Sequence, residues 1–278
     1  MTFHPVVFHL GPFELAGFGL MMMLAFIVAG WLAGAELRRL GFNEAYASDL
    51  VVAAVVGGIV GAKLWYVALT GDASALLSRS GLVYYGGFLG GTAAVVLTSW
   101  HRRVPLGWTA HLVAAPLALA YAIGRIGCFL ANDDYGRPTD LPWGVKFPEG
   151  LPPTTAGVLA RQFGVAVPPG TDPATVLAVH PTQLYEALVM AAVFAVLWRV
   201  RGAARPAGWL FGLYLVLAGL ERFGIEILRA KDDRFLGPFT LAQATSAVLV
   251  AAGVVLLVRR SRGPSPAPGP WLGAAPVG

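Results

Sequence analysis

Arg222, Glu226 and Arg229 stand at i, i+4 and i+7 in "GLERFGIEILRAKDD", a spacing that puts all three on one face of a helix. Earlier, "GRIGCFLANDDYG" (124 to 136) brings Arg125 and Cys128, the only cysteine, to one face at i and i+3, ahead of two aspartates. A third polar group, "VHPTQLYEALV", sets Gln183 and Glu186 on a common face with Tyr185 beside it; His180 and Pro181 form a helix start, where the missing proline N–H costs nothing. Guanidinium groups keep their charge when buried and grip phosphate oxygens bidentately, so three arginines around one carboxylate suit a phosphate. Blander readings stand beside this one. The stripe also reads as a salt-bridge ladder that neutralises itself, although that leaves Arg125 with no acidic partner a turn before it. The third group also reads as interfacial anchoring by Tyr185 plus a helix cap.

The elements that must position these residues are membrane spans. Of 278 residues 56% are hydrophobic and only 13% charged, and the mean hydropathy is +0.67, against roughly 25% charged in a soluble domain. Seven apolar runs are long enough to cross a bilayer: about 13 to 35, 49 to 69, 81 to 100, 109 to 131, 183 to 199, 208 to 229 and 239 to 258. All should be helices, because backbone polar groups in lipid must be satisfied within the segment. The expected fold is all-α and polytopic.

Ten of the twenty basic residues follow the odd-numbered spans and six lie in the opposite connections, so the C-terminus is expected in the cytoplasm and the N-terminus outside. No Lys or Arg precedes Arg38, so the first span lacks the basic start of a cleavable signal and should stay. Residues 1 to 262 read as one membrane-embedded domain in which 132 to 182, rich in Pro and Gly yet carrying Trp143 and Phe147, forms an extracytoplasmic cap. Residues 263 to 278 read as a disordered cytoplasmic tail. The loops account for the basic excess, and no nucleic-acid partner is expected. Five histidines without HxxxH spacing and a single cysteine indicate no metal site.

Four basic residues remain within or at the outer edge of spans: Lys63, Arg125, Arg222 and Arg229. Such charges are costly and usually face a partner or a wet cavity. The fourth and sixth spans both run outward, so Arg125 and the Arg222 stripe reach the same depth and can meet; Lys231, Asp232 and Asp233 continue the stripe into the loop. In an outer-leaflet cavity the available phosphate is a phospholipid headgroup. Glycines in "VVGGIVGAK" and "YYGGFLGG" allow close helix approach. Gly86 and Gly87 could equally admit a ligand against the backbone.

"GRIGCFLANDDYG", followed in order by "HPTQLYEA" and by "RFGIEILR" with "TLAQ", and preceded by "LVYYGGFLGG", resembles the motif set of prolipoprotein diacylglyceryl transferases over nearly the whole chain. The resemblance implies transfer of the diacylglyceryl group of phosphatidylglycerol to the lipobox cysteine thiol of a preprolipoprotein, in a bacterial inner membrane, with no cofactor. It implies Arg125 and Arg222 as the essential pair, with Glu226 and Arg229 holding the site. Asp133 matches the family's acidic residue, Gly136 its closing glycine, and Gln183, Tyr185 and Glu186 its fifth-span motif. Tyr85, ahead of Gly86 and Gly87, stands where the family has a histidine, a candidate base for the substrate thiol. A tyrosine is a poor base unless a neighbouring arginine lowers its pKa. Cys128 and Ala131 stand where the family has asparagines, and Phe18 where an aromatic hydroxyl is expected. Cys128 reads as a small apolar filler, as a bystander lining the site, or as a covalent nucleophile. Two rival functions use the same residues: a divergent relative acting on another lipid or thiol, and a lipid or anion transporter, against which the lack of an internal repeat counts.

Overall fold

The apolar runs form helices whose ends differ from the expected ones by a few residues. The computed structural model describes residues 1–10, 13–76, 83–202, 205–230, 234–236 and 239–260. The expected tail (263 to 278) and Lys231, Asp232 and Asp233 lie outside the described residues. The long helices are α1 (Gly17–Arg39), α2 (Ala45–Thr70), α3 (Tyr84–His101), α4 (Leu106–Ala131), α6 (Thr182–Val200), α7 (Trp209–Ile225) and α8 (Leu241–Arg259), with a short α5 (Ala156–Phe163) between α4 and α6. Of these, α1, α2, α4, α6 and α8 are long and apolar enough to cross a membrane.

Two corrections apply. The chain is mostly helical rather than all-α, because β1 (Val7–Leu10) pairs antiparallel with β2 (Phe13–Ala16), and β3 (Arg234–Leu236) with β4 (Phe239–Thr240). These hairpins supply backbone partners just before α1 and α8, where no helix can. The sixth run, expected to 229, ends as a helix at Ile225, so Arg229 stands on the turn beyond it.

Three modes of packing build the bundle. In the middle, α4 packs on α1, α6 and α7. Its small residues Ala114, Ala115, Ala118 and Ala122 are buried against Met190, Val193 and Leu197 of α6 and Leu210 of α7. On one flank α2 and α3 close on glycines: a Cβ added at Gly61 would meet the Gly86 carbonyl and come within 2.7 Å of the Gly90 Cα. On the other flank, a Cβ on Gly253 of α8 would stand 2.6 Å from the Gly212 carbonyl of α7. Helix α8 begins with a reciprocal cap, Thr240 Oγ1 accepting from the Gln243 N–H at 3.2 Å and Gln243 Oε1 from the Thr240 N–H at 3.1 Å, which accounts for the "TLAQ" stretch.

The two ends of the bundle differ. At one, Tyr46, Ser99 and Thr109 share hydroxyl hydrogen bonds of 2.7 to 3.0 Å. Beside them the buried Glu36 carboxylate takes Arg39 at 2.6 Å and Arg201 at 2.9 Å, tying α1 to the end of α6. At the other end, the segment between α4 and α6 folds around a fully buried Phe147, with Tyr135, Val145, Leu159 and Val179 beside it and Phe3 and Phe129 against it. The first residues join this cap: the Phe3 N–H donates to the Lys146 carbonyl at 3.0 Å.

The glycine contact between α2 and α3 yields a stability test. Gly61→Ala or Gly90→Ala should lower the melting temperature of the detergent-solubilised protein, because overpacking costs about 1–3 kcal/mol. Gly19→Ala in α1, where an added Cβ meets nothing within 4 Å, should leave it unchanged or raise it.

Candidate active site

The charged cluster starts on the last two turns of α4. Tyr121, Arg125 and Cys128 lie at i, i+4 and i+7, one stripe on the face turned toward α6 and the loop that follows. All three nitrogens of the Arg125 fork are engaged. Its Nε stands 2.6 Å from Glu186 Oε2, Nη1 donates to Asp134 Oδ2 at 3.0 Å, and Nη2 donates to the Tyr121 hydroxyl at 3.1 Å. Tyr121 in turn donates to Glu186 Oε2 at 2.7 Å, and Glu186 is fully buried. A buried guanidinium and a buried carboxylate are tolerable only when paired in this way.

From Asp134 the network continues. Its other oxygen accepts from Arg229 Nη2. Arg229 Nε stands 3.7 Å from Glu226 Oε2, and that oxygen lies 2.6 Å from Arg222 Nη1, an ion pair without hydrogen-bond alignment. The order is therefore Glu186, Arg125, Asp134, Arg229, Glu226, Arg222. Carboxylates alternate with guanidiniums along it.

Loop geometry puts Asp134 in the middle. Helix α4 ends on Asn132 in the left-handed region (φ +59°), and Asp134 is left-handed too (φ +57°), so the chain doubles back over the helix end. Asn and Asp tolerate this backbone better than most residues. The start of α6 holds the loop: Thr182 Oγ1 donates to the Asp134 carbonyl at 2.9 Å and Gln183 Nε2 donates to the Asp133 carbonyl. The Gly136 N–H donates to the His180 carbonyl at 2.9 Å and the Arg137 N–H to the Leu228 carbonyl at 2.8 Å. Gly136 has no room for a side chain there, since a Cβ would stand 2.7 Å from both the Leu228 carbonyl and Thr182 Cγ2.

Most residues singled out in the sequence come together. Arg125, Arg222, Glu226, Arg229 and Glu186 form the network, and Asp133, Gly136 and Gln183 build the loop against it. Tyr185 stands one step out, its hydroxyl 2.7 Å from Trp143 Nε1 of the cap and 3.3 Å from His180 Nδ1. Tyr85, Gly86 and Gly87 make no hydrogen bond or ion pair with this network among the described residues. Tyr85 is half exposed, with its ring against Tyr84 at 5.6 Å, and Gly86 and Gly87 face α2, where a Cβ at Gly86 would meet Trp65 and the Gly61 carbonyl. For these glycines the packing alternative has its contact. Sequence reasoning missed Asp134 and Tyr121. Tyr121 was detectable at i−4 from Arg125, whereas choosing between adjacent aspartates requires the loop's handedness.

Cys128, Asp133 and Asp134 offer ligand atoms within 4.8 Å of one another. Arg125 and Arg229 already occupy both Asp134 oxygens, and two guanidiniums at that point oppose a cation. Burial, with the Asp134 charge adding to it, pushes the Asp133 carboxyl up to about 6. Folding thus favours the protonated form, and the resulting stabilisation is present at low pH and lost as pH rises through about 6. The melting temperature of Asp133→Asn relative to the unsubstituted protein should accordingly climb between about pH 4 and pH 6; a difference independent of pH would refute this.

What the network can do is receive a phosphate and stabilise charge on it as a bond to it breaks. The sequence profile of the family described as prolipoprotein diacylglyceryl transferase matches residues 5–259. Proteins named phosphatidylglycerol–prolipoprotein diacylglyceryl transferase are similar along their length. That of Solidesulfovibrio magneticus is 34% identical, covering 93% of this chain and 95% of its own. That of Stenotrophomonas maltophilia is 34% identical, covering 94% and 92%, and that of Geobacter sulfurreducens 31% identical, covering 94% and 97%. With its helices, its arginine network and this similarity along almost its whole length, the chain belongs to the prolipoprotein diacylglyceryl transferase family, whose members are multi-pass membrane proteins.

Proposed function

We propose that the network at the cap end of α4 is where the phosphodiester of phosphatidylglycerol binds, and that the chain transfers the diacylglyceryl group from that lipid to the lipobox cysteine of a preprolipoprotein. The observation that carries this is the set of three guanidiniums, from α4, α7 and the turn after α7, linked through Asp134 and Glu226 into one site. In the reaction a C–S bond forms between the substrate thiolate and a glyceryl carbon, and the C–O bond from that carbon to phosphate breaks. The electron pair leaves on the phosphate oxygen, so glycerol phosphate departs with one more negative charge, and the thiol proton goes to a base. Arg125, Arg222 and Arg229 together meet the growing charge, while Glu226 and Glu186 hold their guanidiniums in place. Cys128 is half-buried, 3.9 Å from Arg125 Nη1, and the step as balanced above makes no use of it.

Seven long helices, with arginines concentrated at the end where Glu36 lies and a folded cap at the other, support seven passes through a bacterial inner membrane. The cap and N-terminus then face outward and the C-terminus faces the cytoplasm. The active site lies at the level of the outer leaflet, the depth of a phospholipid headgroup.

Alanine at Arg125 or Arg222 should cut transfer by about a hundredfold or more with protein levels intact, as loss of a charge-stabilising donor does elsewhere. Mass spectrometry of a lipobox peptide incubated with membranes containing each variant measures this. Full transfer by the double variant would refute the assignment.

A further inference from the structure

Among the described residues the network is neutral as it stands. Three guanidiniums, Arg125, Arg222 and Arg229, are in ion-pair contact with three carboxylates, Glu186, Asp134 and Glu226. A phosphodiester brings one negative charge. Added to a neutral, largely buried network it would be repelled by the carboxylates already there. One carboxylate must therefore leave as the phosphate arrives.

The three carboxylates are not equivalent. Glu186 and Glu226 have side chains 0% and 1% exposed, and each sits on or at the end of a helix. Asp134 is 40% exposed and lies in a loop. Its backbone is pinned by the Thr182 hydroxyl on its carbonyl, so its carboxylate can swing out to water by rotation of the side chain alone. It also joins the two guanidiniums, Arg125 and Arg229, that no other carboxylate among the described residues links directly.

We propose that Asp134 is an internal stand-in for the donor phosphate: it spans Arg125 and Arg229 in the empty enzyme, and the phosphodiester of the lipid displaces it one for one. This rests on the phosphate site proposed above. Asp134 is thus a positioning residue with two effects. It keeps the guanidiniums paired and facing one another while the site is empty, and it sets how strongly an anion must bind to take its place. Lipids without a phosphate anion cannot make the exchange, so Asp134 also discriminates against neutral donors.

The test uses the full-length protein in micelles of a phosphate-free detergent, dodecyl maltoside, with a graded mole fraction of phosphatidylglycerol and a lipobox peptide. Asp134→Asn removes the competing anion but keeps the shape. Its KM for phosphatidylglycerol should fall about three- to tenfold, as expected when an occupied, incompetent state is removed. Inhibition by added glycerol phosphate should tighten by a similar factor. Asp134→Glu, which restores the charge, should keep the original KM, and Asp134→Ser serves as the neutral variant if the Asn form accumulates poorly. A neutral variant whose KM rises, or whose KM is unchanged while kcat falls, behaves as a purely structural residue and overturns the exchange. Arg125→Lys and Arg229→Lys separate the two layers. If they leave both KM and glycerol phosphate inhibition unchanged, the phosphate binds elsewhere and the site assignment fails with the exchange; if they raise KM while Asp134→Asn does not lower it, only the exchange fails.

Discussion

Charge buried in a bundle matched to hydrocarbon must be cancelled, and in this protein it must be cancelled without being used up. Three guanidiniums near the cap end would each be costly alone. Alternation with carboxylates meets that cost, and the guanidiniums stay charged within it. The surroundings follow from this requirement. Helix α4 supplies Arg125 and the tyrosine that shares its carboxylate, α6 supplies Glu186 from a fully buried position, and the loop after α4 turns twice through left-handed backbone to deliver Asp134. The start of α6 and the turn after α7 fix that loop by backbone hydrogen bonds that admit only glycine at position 136.

Packing elsewhere is subordinate to holding this arrangement still. The central helices meet through alanines, and both flanking pairs, α2 with α3 and α7 with α8, meet through glycines that allow backbone-to-backbone contact. Lipid offers little hydrophobic drive for helix association, so close contact of small residues has to provide it. The outward faces stay apolar, with Ile27, Trp31, Val52 and Val248 all well exposed in the isolated chain. Rigid flanks matter because a guanidinium displaced by an ångström no longer meets its oxygen.

The sequence was most legible where it broke its own pattern. Long apolar runs identified the helices, and arginines inside those runs marked the site, because nothing but a partner or a ligand explains them. Glu226 and Glu186 were legible by helical spacing. Asp134 was not, since its importance depends on two backbone angles that no spacing rule encodes. The same limit hid the end of α7: the apolar run continues through Ile227 and Leu228, but the helix stops at Ile225 and the chain turns to cross Gly136. Whether Gly86 and Gly87 served packing or a ligand depended on which helix lay opposite. The short strands escaped notice because their pairing is a matter of backbone groups at the margin of the apolar segments.

At the far end of the bundle, Glu36 and Arg201 lie 165 positions apart in the chain. A chain made from its N-terminus and inserted helix by helix presents Glu36 to the membrane long before Arg201 exists. Arg39, three positions on, is the partner already at hand, and the pair can travel into the bilayer as a neutral unit. Arrival of α6 then adds the second arginine and clasps the first helix to the sixth. The order of synthesis thus becomes an order of assembly, in which the bundle cannot close at this end until α6, the fifth of its long helices, has been made.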